Sequence, residues 1–437
     1  MDGVDVGLIS IIAVLVFVYL GVHIGVALSL VSFACIWLVR GDLELAGKML
    51  ALAAAESLRS YEFGVIPLFV LMGLFVSIAD IGRDTYQVAN HLFRRVGGGL
   101  GMATVAANTV FAAVTGTSIA SASVFTKIAV PEMLRFGYNP RFAVGVVAGS
   151  SVLGMLIPPS LLLILFGILA ETSIGDLFIA GILPGVTLAV AYGVLILVMS
   201  HRFPRSVVLD PTRAAPPDSQ MGAVEIAGKL APMILLIIAV LGGLYGGVFT
   251  ATEAGGVGAL GAFLLALARR RLNWRSLWQV LVETGHVTAA ICFLLIAAFL
   301  YSRMISVTGI PNAMEAAIIS LDFGYYGIIA IYVLIIVLLG TILDAGSIML
   351  IMVPLAIPAL ASFNLDLTWF GVVTVIAVEI GLLTPPLGLA VFVVHNTLSD
   401  DRISVNDIFM GALPFATVML LVLILIVLVP WVAVGLT

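Results

Sequence analysis

The sequence predicts an all-α polytopic membrane protein made of two inverted repeats, each with a re-entrant helical hairpin and a helix broken at a Pro-Pro pair. Three observations predict it. The 437 residues are 62% hydrophobic and only 10% charged, with 44 glycines and 18 prolines. Each half of the chain holds one segment in which short apolar legs flank a small, polar tip. Each such segment is followed by an apolar run interrupted at tandem prolines, Pro158-Pro159 and Pro385-Pro386.

Composition excludes much at once. A soluble domain carries roughly a quarter charged residues, and 19 basic with 24 acidic side chains cannot coat a globule of this size. A mean hydropathy of +1.24 calls for lipid as solvent. The net charge of −5 leaves no basic footprint, so no nucleic acid is expected as a partner. Cys35 and Cys292 each sit in an apolar run and build neither a disulfide framework nor a Cys-rich site. The five histidines, His23, His91, His201, His286 and His395, lack ligand spacing, so no transition metal is expected. There is no Walker A loop and no Gly-x-Ser-x-Gly elbow. Neither an ATP-driven pump with its own nucleotide domain nor an enzyme is expected.

The elements follow in order. Met1-Asp2-Gly3-Val4-Asp5 has no basic region ahead of the first apolar run, which is therefore read as a retained span. That run, Val6 to Val39, is too long for one span and turns at Gly21–His23–Gly25. Residues 41–61 mix Glu44, Lys48, Glu56 and Arg59 with Leu and Ala at helical spacing, as an interfacial helix does. A span over Phe63–Ile81 leads to a polar linker with Arg83, Arg94 and Arg95.

Residues 101–134 break the pattern. The legs around Thr115-Gly116-Thr117-Ser118-Ile119-Ala120-Ser121-Ala122-Ser123 are each too short to cross roughly 30 Å of hydrocarbon at 1.5 Å per residue. A hairpin entering and leaving on one side fits, and its non-helical tip must be buried in protein or line a wet cavity. The stretch 142–170 is interrupted at Ile157-Pro158-Pro159-Ser160, where prolines remove N–H donors and disfavour helix at the preceding residue. A span, Leu177–Ser200, completes the first repeat (1–200). Residues 201–229 form the hydrophilic cytoplasmic linker.

The second repeat (230–437) follows the same order. Spans at 230–247 and 254–268 precede a basic amphipathic segment, Arg269 to Gly285, and a span at 286–301. The second hairpin, 325–363, has the tip Gly340-Thr341-Ile342-Leu343-Asp344-Ala345-Gly346-Ser347. A broken helix, 370–394, is interrupted at Thr384-Pro385-Pro386, and a last span covers 409–433, for about ten spans in all. Gly181-Ile-Leu-Pro184 pairs with Gly411-Ala-Leu-Pro414 across the duplication. Arg83, Arg94, Arg95, Arg135 and Arg141 flank the first hairpin, whereas Arg303 stands alone by the second. The positive-inside rule then places the first hairpin's entry in the cytoplasm, the second's outside, and both termini outside. Lys48 and Arg59 run against the rule locally.

Inverted repeats, broken helices and matched polar tips are the pattern of a secondary transporter. Helix ends in mid-membrane leave free N–H groups for anions and free carbonyls for cations. Gly116 and Gly340 permit close backbone approach, and Thr117, Ser118, Ser121, Thr341 and Ser347 add hydroxyl oxygens suited to Na⁺. The alternative is that Gly, Ser and Thr simply pack membrane helices closely. Asp344 and Glu379 are the carboxylates expected inside the bilayer, where an ionisable group costs roughly 2.5–3.5 kcal/mol on insertion scales. Asp344 either holds Na⁺ or orients its loop; Glu379 either couples or pairs with a distant Arg or Lys. Lys127 is placed to snorkel to the interface, and Arg303 to anchor at the outer one.

The ordered motifs resemble a known family, the DctM-like large membrane subunits of tripartite ATP-independent periplasmic (TRAP) transporters. They read Ile66-Pro67-Leu68-Phe69-Val70-Leu71-Met72-Gly73, Gly98-Gly99-Leu100-Gly101-Met102-Ala103-Thr104-Val105, the first tip, and Ile128-Ala129-Val130-Pro131-Glu132-Met133. Gly154-Met155-Leu156-Ile157-Pro158-Pro159-Ser160, Thr252-Glu253-Ala254-Gly255-Gly256-Val257-Gly258, Leu343-Asp344 and Glu379-Ile380-Gly381-Leu382-Leu383-Thr384-Pro385-Pro386-Leu387-Gly388 follow. The resemblance implies a Na⁺-driven elevator in the bacterial inner membrane that imports an organic anion such as a dicarboxylate, sialic or sugar acid, or keto acid. It implies two partners, a small four-helix Q subunit and a periplasmic substrate-binding protein. It places the sodium sites at Gly116, Thr117, Ser118 and Ser121 with Gly154 and Pro158, and at Gly340, Thr341 and Asp344 with Gly381, Thr384 and Pro385. The neighbouring Ser123, Pro159, Ser160, Ser347 and Pro386 go to the substrate. Ala377 departs from the pattern, standing where many members carry Asn. Rival readings are a self-sufficient Na⁺/carboxylate symporter or antiporter of similar architecture, and a membrane scaffold without transport.

Overall fold

Helix starts are written in capping residues along the whole chain. Thr250 and Glu253, Asn273 and Ser276, and Ser404 and Asp407 form reciprocal capping boxes ahead of long apolar helices. Asn139 caps a helix with Pro140 in its first turn, and Ser173 caps the next long one. The computed structural model describes residues 3–59, 61–210, 212, 221–321, 323–363, 365–398 and 402–437. Among them every named element is helical, and the only strand-like pairing is a bridge between Tyr138 and Val208.

Among the described residues six helices are long and apolar enough to cross a membrane, seven if the bent pair Pro140–Leu156 and Leu161–Leu169 is one span. The sequence predicts about ten spans, and the shortfall has a simple cause. Gly3–Tyr19 and Ile24–Arg40 have 17 residues each, and Leu367–Leu382 ends at its break. The turn between the first two lies where predicted, with Gly21 at φ +85° and the His23 Nδ1 accepting from the Gly25 N–H.

Three local expectations change. The polar linker after the third span is a helix, Ile81–Phe93, with Ile81, Thr85, Val88 and Ala89 buried on one face. The basic segment and the span after it form one helix, Trp274–Thr308, because nothing between them breaks the helical repeat. A further helix, Ile310–Leu321, follows it without having been predicted. The span expected at 230–247 begins earlier, as Ala223–Ile237, and passes through a π turn at Ile238–Gly242. Of the linker 201–229, residues 211 and 213–220 lie outside the described residues. Its start is tied down: Asn139 N–H donates to the Val207 carbonyl and Leu209 N–H to the Gly137 carbonyl.

Two groups of helices emerge. Gly3–Tyr19, Ile24–Arg40 and Leu43–Arg59 pack against Trp274–Thr308, where Arg303 pairs with Glu56. Val65–Ile78 packs along Ala251–Ala268 and reaches the same long helix. The second group holds both hairpins, Gly99–Thr115 with Ser118–Arg135 and Gly324–Gly340 with Ala345–Ala359. It also holds both broken helices and the long helices Ile174–Arg202 and Val405–Leu428. With lipid outside, helices associate by close packing rather than by burial from water, so small residues decide where they touch. A methyl group on Gly411 would lie 2.0 Å from the Arg141 carbonyl oxygen, and one on Gly145 2.2 Å from the Gly411 carbonyl. Only glycine at both positions lets Pro140–Ser151 and Val405–Leu428 meet backbone to backbone.

Candidate functional site

The first tip is short. Gly99–Thr115 ends at Gly116, whose φ of +65° closes the helix, and Thr117 starts Ser118–Arg135 by accepting from the Ala120 N–H at 3.3 Å. The tip lies on the break in its own half of the chain. Leu161 N–H donates to the Gly116 carbonyl at 3.1 Å, and a methyl group on Gly116 would stand 2.6 Å from the Pro159 oxygen. One on Gly154 would stand 2.5 Å from the Thr117 oxygen. Both glycines are therefore required by backbone contact, independent of any ligand. Ser160 spans the break, donating to the Met155 carbonyl and accepting from the Leu163 N–H at 3.2 Å.

The second tip is longer. Gly340 ends the leg and Asp344 starts Ala345–Ala359, accepting from the Ser347 N–H at 3.1 Å and from the Ser347 hydroxyl. Leu387 N–H donates to the Thr341 carbonyl at 3.0 Å, so this tip also lies on the break in its own half of the chain. Gly340 and Gly381 touch directly: a methyl group on either would come within 2.7 Å of the other's Cα. Both Pro-Pro bonds, Pro158-Pro159 and Pro385-Pro386, are cis.

The two halves of the chain are interlocked. The half-helix after the second break, Leu389–Thr397, packs on the first hairpin's second leg, and Leu161–Leu169 packs on the second hairpin's second leg. Leu367–Leu382 joins the two tips most closely. Its Gly381 touches Gly340 of the second tip, while Glu379, two residues earlier, faces Ser118 of the first. Glu379 is 1% exposed; the Ser118 hydroxyl lies within its reach, and beyond it neither carboxylate oxygen has a well-aligned hydrogen-bond partner among the described residues.

Which oxygens are free for a cation follows from hydrogen-bond direction. Thr341 donates to Leu338 and Thr384 to Ile380, each at 2.7 Å, which leaves the hydroxyl lone pairs available. Ser121, fully buried, has no hydrogen-bond partner among the described residues. Thr117 and Ser160 instead accept N–H groups as helix caps, which occupies a lone pair. Ser347 is committed to Asp344. An all-oxygen donor set with no sulfur or imidazole suits a hard cation such as Na⁺. Among the described residues no cluster of His, Cys, Asp and Glu fits a transition metal. Ser123 is half-buried, Pro158 and Pro159 are buried, and Pro385 and Pro386 are exposed.

Against this geometry, the DctM component of tripartite ATP-independent periplasmic transporters matches residues 11–432. The chain belongs to the DctM family. It is a multi-pass membrane permease and not an enzyme. It is 30% identical to the C4-dicarboxylate TRAP transporter large permease protein DctM of Pseudomonas aeruginosa, over 89% of each chain. It is 27% identical to the isethionate TRAP transporter permease protein DctMQ of Oleidesulfovibrio alaskensis, covering 95% of this chain and 64% of that one. It is 25% identical to the sialic acid TRAP transporter permease protein SiaT of Haemophilus influenzae, covering 97% and 67%. Among solved structures, the YdaH transporter of Alcanivorax borkumensis superposes with a TM-score of 0.60 at 15% identity, covering 90% and 89%, which shows a shared fold.

Sequence reasoning missed several polar groups of this DctM chain. Asn108 on the first leg donates to Ser150 Oγ at 2.6 Å, tying hairpin to broken helix, and its own carbonyl oxygen is unpartnered. Tyr192 is fully buried with a hydroxyl unpartnered among the described residues, on the long helix Ile174–Arg202 that packs against the Glu379 helix. A polar residue inside an apolar run is the signal that finds both. Lys127 is exposed and lines a polar cavity with Arg83, Glu132 and Arg135. A cavity of 660 Å³ opens away from the tips, beside Glu56, Glu62, Glu171 and Thr250, between the two helix groups.

Proposed function

We propose that this chain imports an organic acid anion by coupling its entry to sodium, with the anion delivered by a periplasmic binding protein. The observation that carries this reading is that both polar tips close on the last turn of one helix, Leu367–Leu382. Ion sites there would load and move as one body. Relatives named for C4-dicarboxylate, isethionate and sialic acid transport support an organic acid as cargo. TRAP large permeases work with small Q subunits and periplasmic binding proteins, and the relative named DctMQ supports a Q partner here.

Electrostatics favours coupling. Moving one charge through 100 mV is worth about 2.3 kcal/mol, so a dianion entering a negative-inside cell needs at least about two accompanying cations to avoid opposing the potential. Two tips provide two places. Thr341, Thr384 and Ser121 offer free hydroxyl lone pairs, and Gly116, Gly154, Gly340 and Gly381 bring backbone close enough to contribute carbonyls. In this reading the hairpins and broken helices form the mobile body of an elevator. The group around Trp274–Thr308 forms its frame. The halves are inverted repeats, the membrane is the bacterial inner membrane, and both termini lie outside.

The test is uptake of radiolabelled organic acids into proteoliposomes holding this chain and its small partner. Uptake that needs both an inward Na⁺ gradient and the cognate binding protein is expected. Na⁺-dependent uptake without the binding protein would instead establish a self-sufficient symporter. Sodium dependence unchanged by both Ser118→Ala and Thr341→Ala would overturn the site assignment.

A further inference from the structure

We propose that Glu379 supplies the negative charge for the cation held at the first tip. The inference rests on the sodium reading above and adds to it a ligand from the opposite half of the chain. The first tip has no acidic residue between Thr115 and Ser123, while the second carries Asp344. Glu379 fills that gap in space, because its side chain faces Ser118 from the end of Leu367–Leu382.

Three observations support this assignment. Glu379 is the one charged side chain among the described residues that is fully buried, and beyond the Ser118 hydroxyl within its reach neither oxygen has a well-aligned hydrogen-bond partner. Buried polar atoms in folded proteins nearly always have a partner, and one hydroxyl does not satisfy the several lone pairs of a carboxylate. No basic side chain supplies it. Among the described residues Glu379 makes no ion pair, and the elements packed on its helix bring only the basic side chains His395, His201 and Arg202, near helix ends; the helix that starts at Ser118 carries Lys127 and Arg135 well beyond the tip, both exposed. Hydroxyls stand nearby. Ser121 lies one helical turn beyond Ser118 on the same face, and its hydroxyl is unpartnered among the described residues, as is that of Tyr192. A carboxylate beside hydroxyl oxygens is a donor set for a hard cation.

The burial also gives the site selectivity. The break that backs the first tip, Ile157 to Ser160, is wholly buried. A cation entering there sheds most of its water, and a fixed carboxylate replaces what it loses. If Glu379 were instead a neutral structural carboxyl, glutamine of the same shape would serve equally well.

The experiment uses the purified chain with its small partner in nanodiscs. It measures ²²Na⁺ binding and the melting temperature in sodium against choline. Wild type is expected to bind Na⁺ and to melt higher in sodium. Glu379→Gln is expected to melt in choline at or above the wild-type temperature, because an unpaired charge is removed, and to lose at least about tenfold in Na⁺ affinity. Glu379→Asp, which keeps the charge, is expected to retain the sodium-dependent rise in part. If Glu379→Gln does not fold, Glu379→Asp decides the matter: a shortened carboxylate that weakens Na⁺ several-fold supports the inference, and wild-type affinity in it overturns the inference. Wild-type Na⁺ affinity in Glu379→Gln, with Thr341→Ala impaired, would overturn this inference and leave the sodium reading standing. A wild-type protein indifferent to sodium would overturn both.

Discussion

The first tip is backed by a break whose residues, Ile157 to Ser160, are all buried, whereas the second faces a break that leaves Pro385, Pro386 and Leu387 exposed. Ser118 is buried in the first tip, and Asp344 is exposed in the second. An exposed carboxylate keeps its water, so the second tip can carry its own charge at little cost. A buried one loses that water and must be compensated. The same supersecondary unit thus meets two dielectric environments. Its charge is local in the second and comes from across the repeat in the first.

The comparison can be broken most severely at the contact common to both tips. Gly381→Val places methyl groups on the Cα of Gly340, where no side chain can move aside. We expect a loss of about 3 kcal/mol or more, read as collapse of the monodisperse fraction on size exclusion. A well-folded variant would show that the tips are not fixed by this helix. Next is Ser160→Ala, which strips the first break of its cap and leaves the Met155 carbonyl buried without its donor. A cost of about 2 kcal/mol is expected in thermal unfolding. Thr384→Val at the more open second break is expected to cost about half as much, and equal costs would erase the distinction drawn between the breaks.

Smaller effects sharpen the contrast. Asp344→Asn keeps an N-cap and is expected to change stability by less than about 0.5 kcal/mol, with Asp344→Ala costing about 1 kcal/mol. Sodium affinity should fall in both. If only the alanine variant loses sodium, the carboxylate acts as a cap and not through its charge. The smallest effect belongs to Arg141→Ala, which breaks an exposed pair with Asp407 at 2.7 Å. A change of under about 1 kcal/mol, shrinking further in high salt, is expected in the melting temperature.

The hairpins and breaks were legible because their signals are local. Small polar residues at Thr115–Ser123 and Gly340–Ser347 mark the turn between two helices, and Pro158-Pro159 and Pro385-Pro386 interrupt a helix wherever they occur. The helix Ile81–Phe93 was also legible in principle, since Ile81, Thr85, Val88 and Ala89 follow helical spacing beneath the arginines. The shift from basic to apolar near Gly285 read as a boundary, yet a helix continues through any change of polarity that carries no breaker. The convergence of both tips on Glu379–Gly381 was out of reach. Gly340 meeting Gly381 leaves no periodicity or motif, and Glu379 reaches Ser118 across more than half the chain.

The most direct test counts coupling ions at the two tips. Uptake of a dianionic substrate into proteoliposomes, titrated with sodium, should rise with a Hill coefficient near two and fall toward one in Ser118→Ala or Thr341→Ala, each leaving the other tip intact. A wild-type coefficient of one, or one that neither substitution moves, would contradict the account of two tips sharing one helix end and each holding an ion.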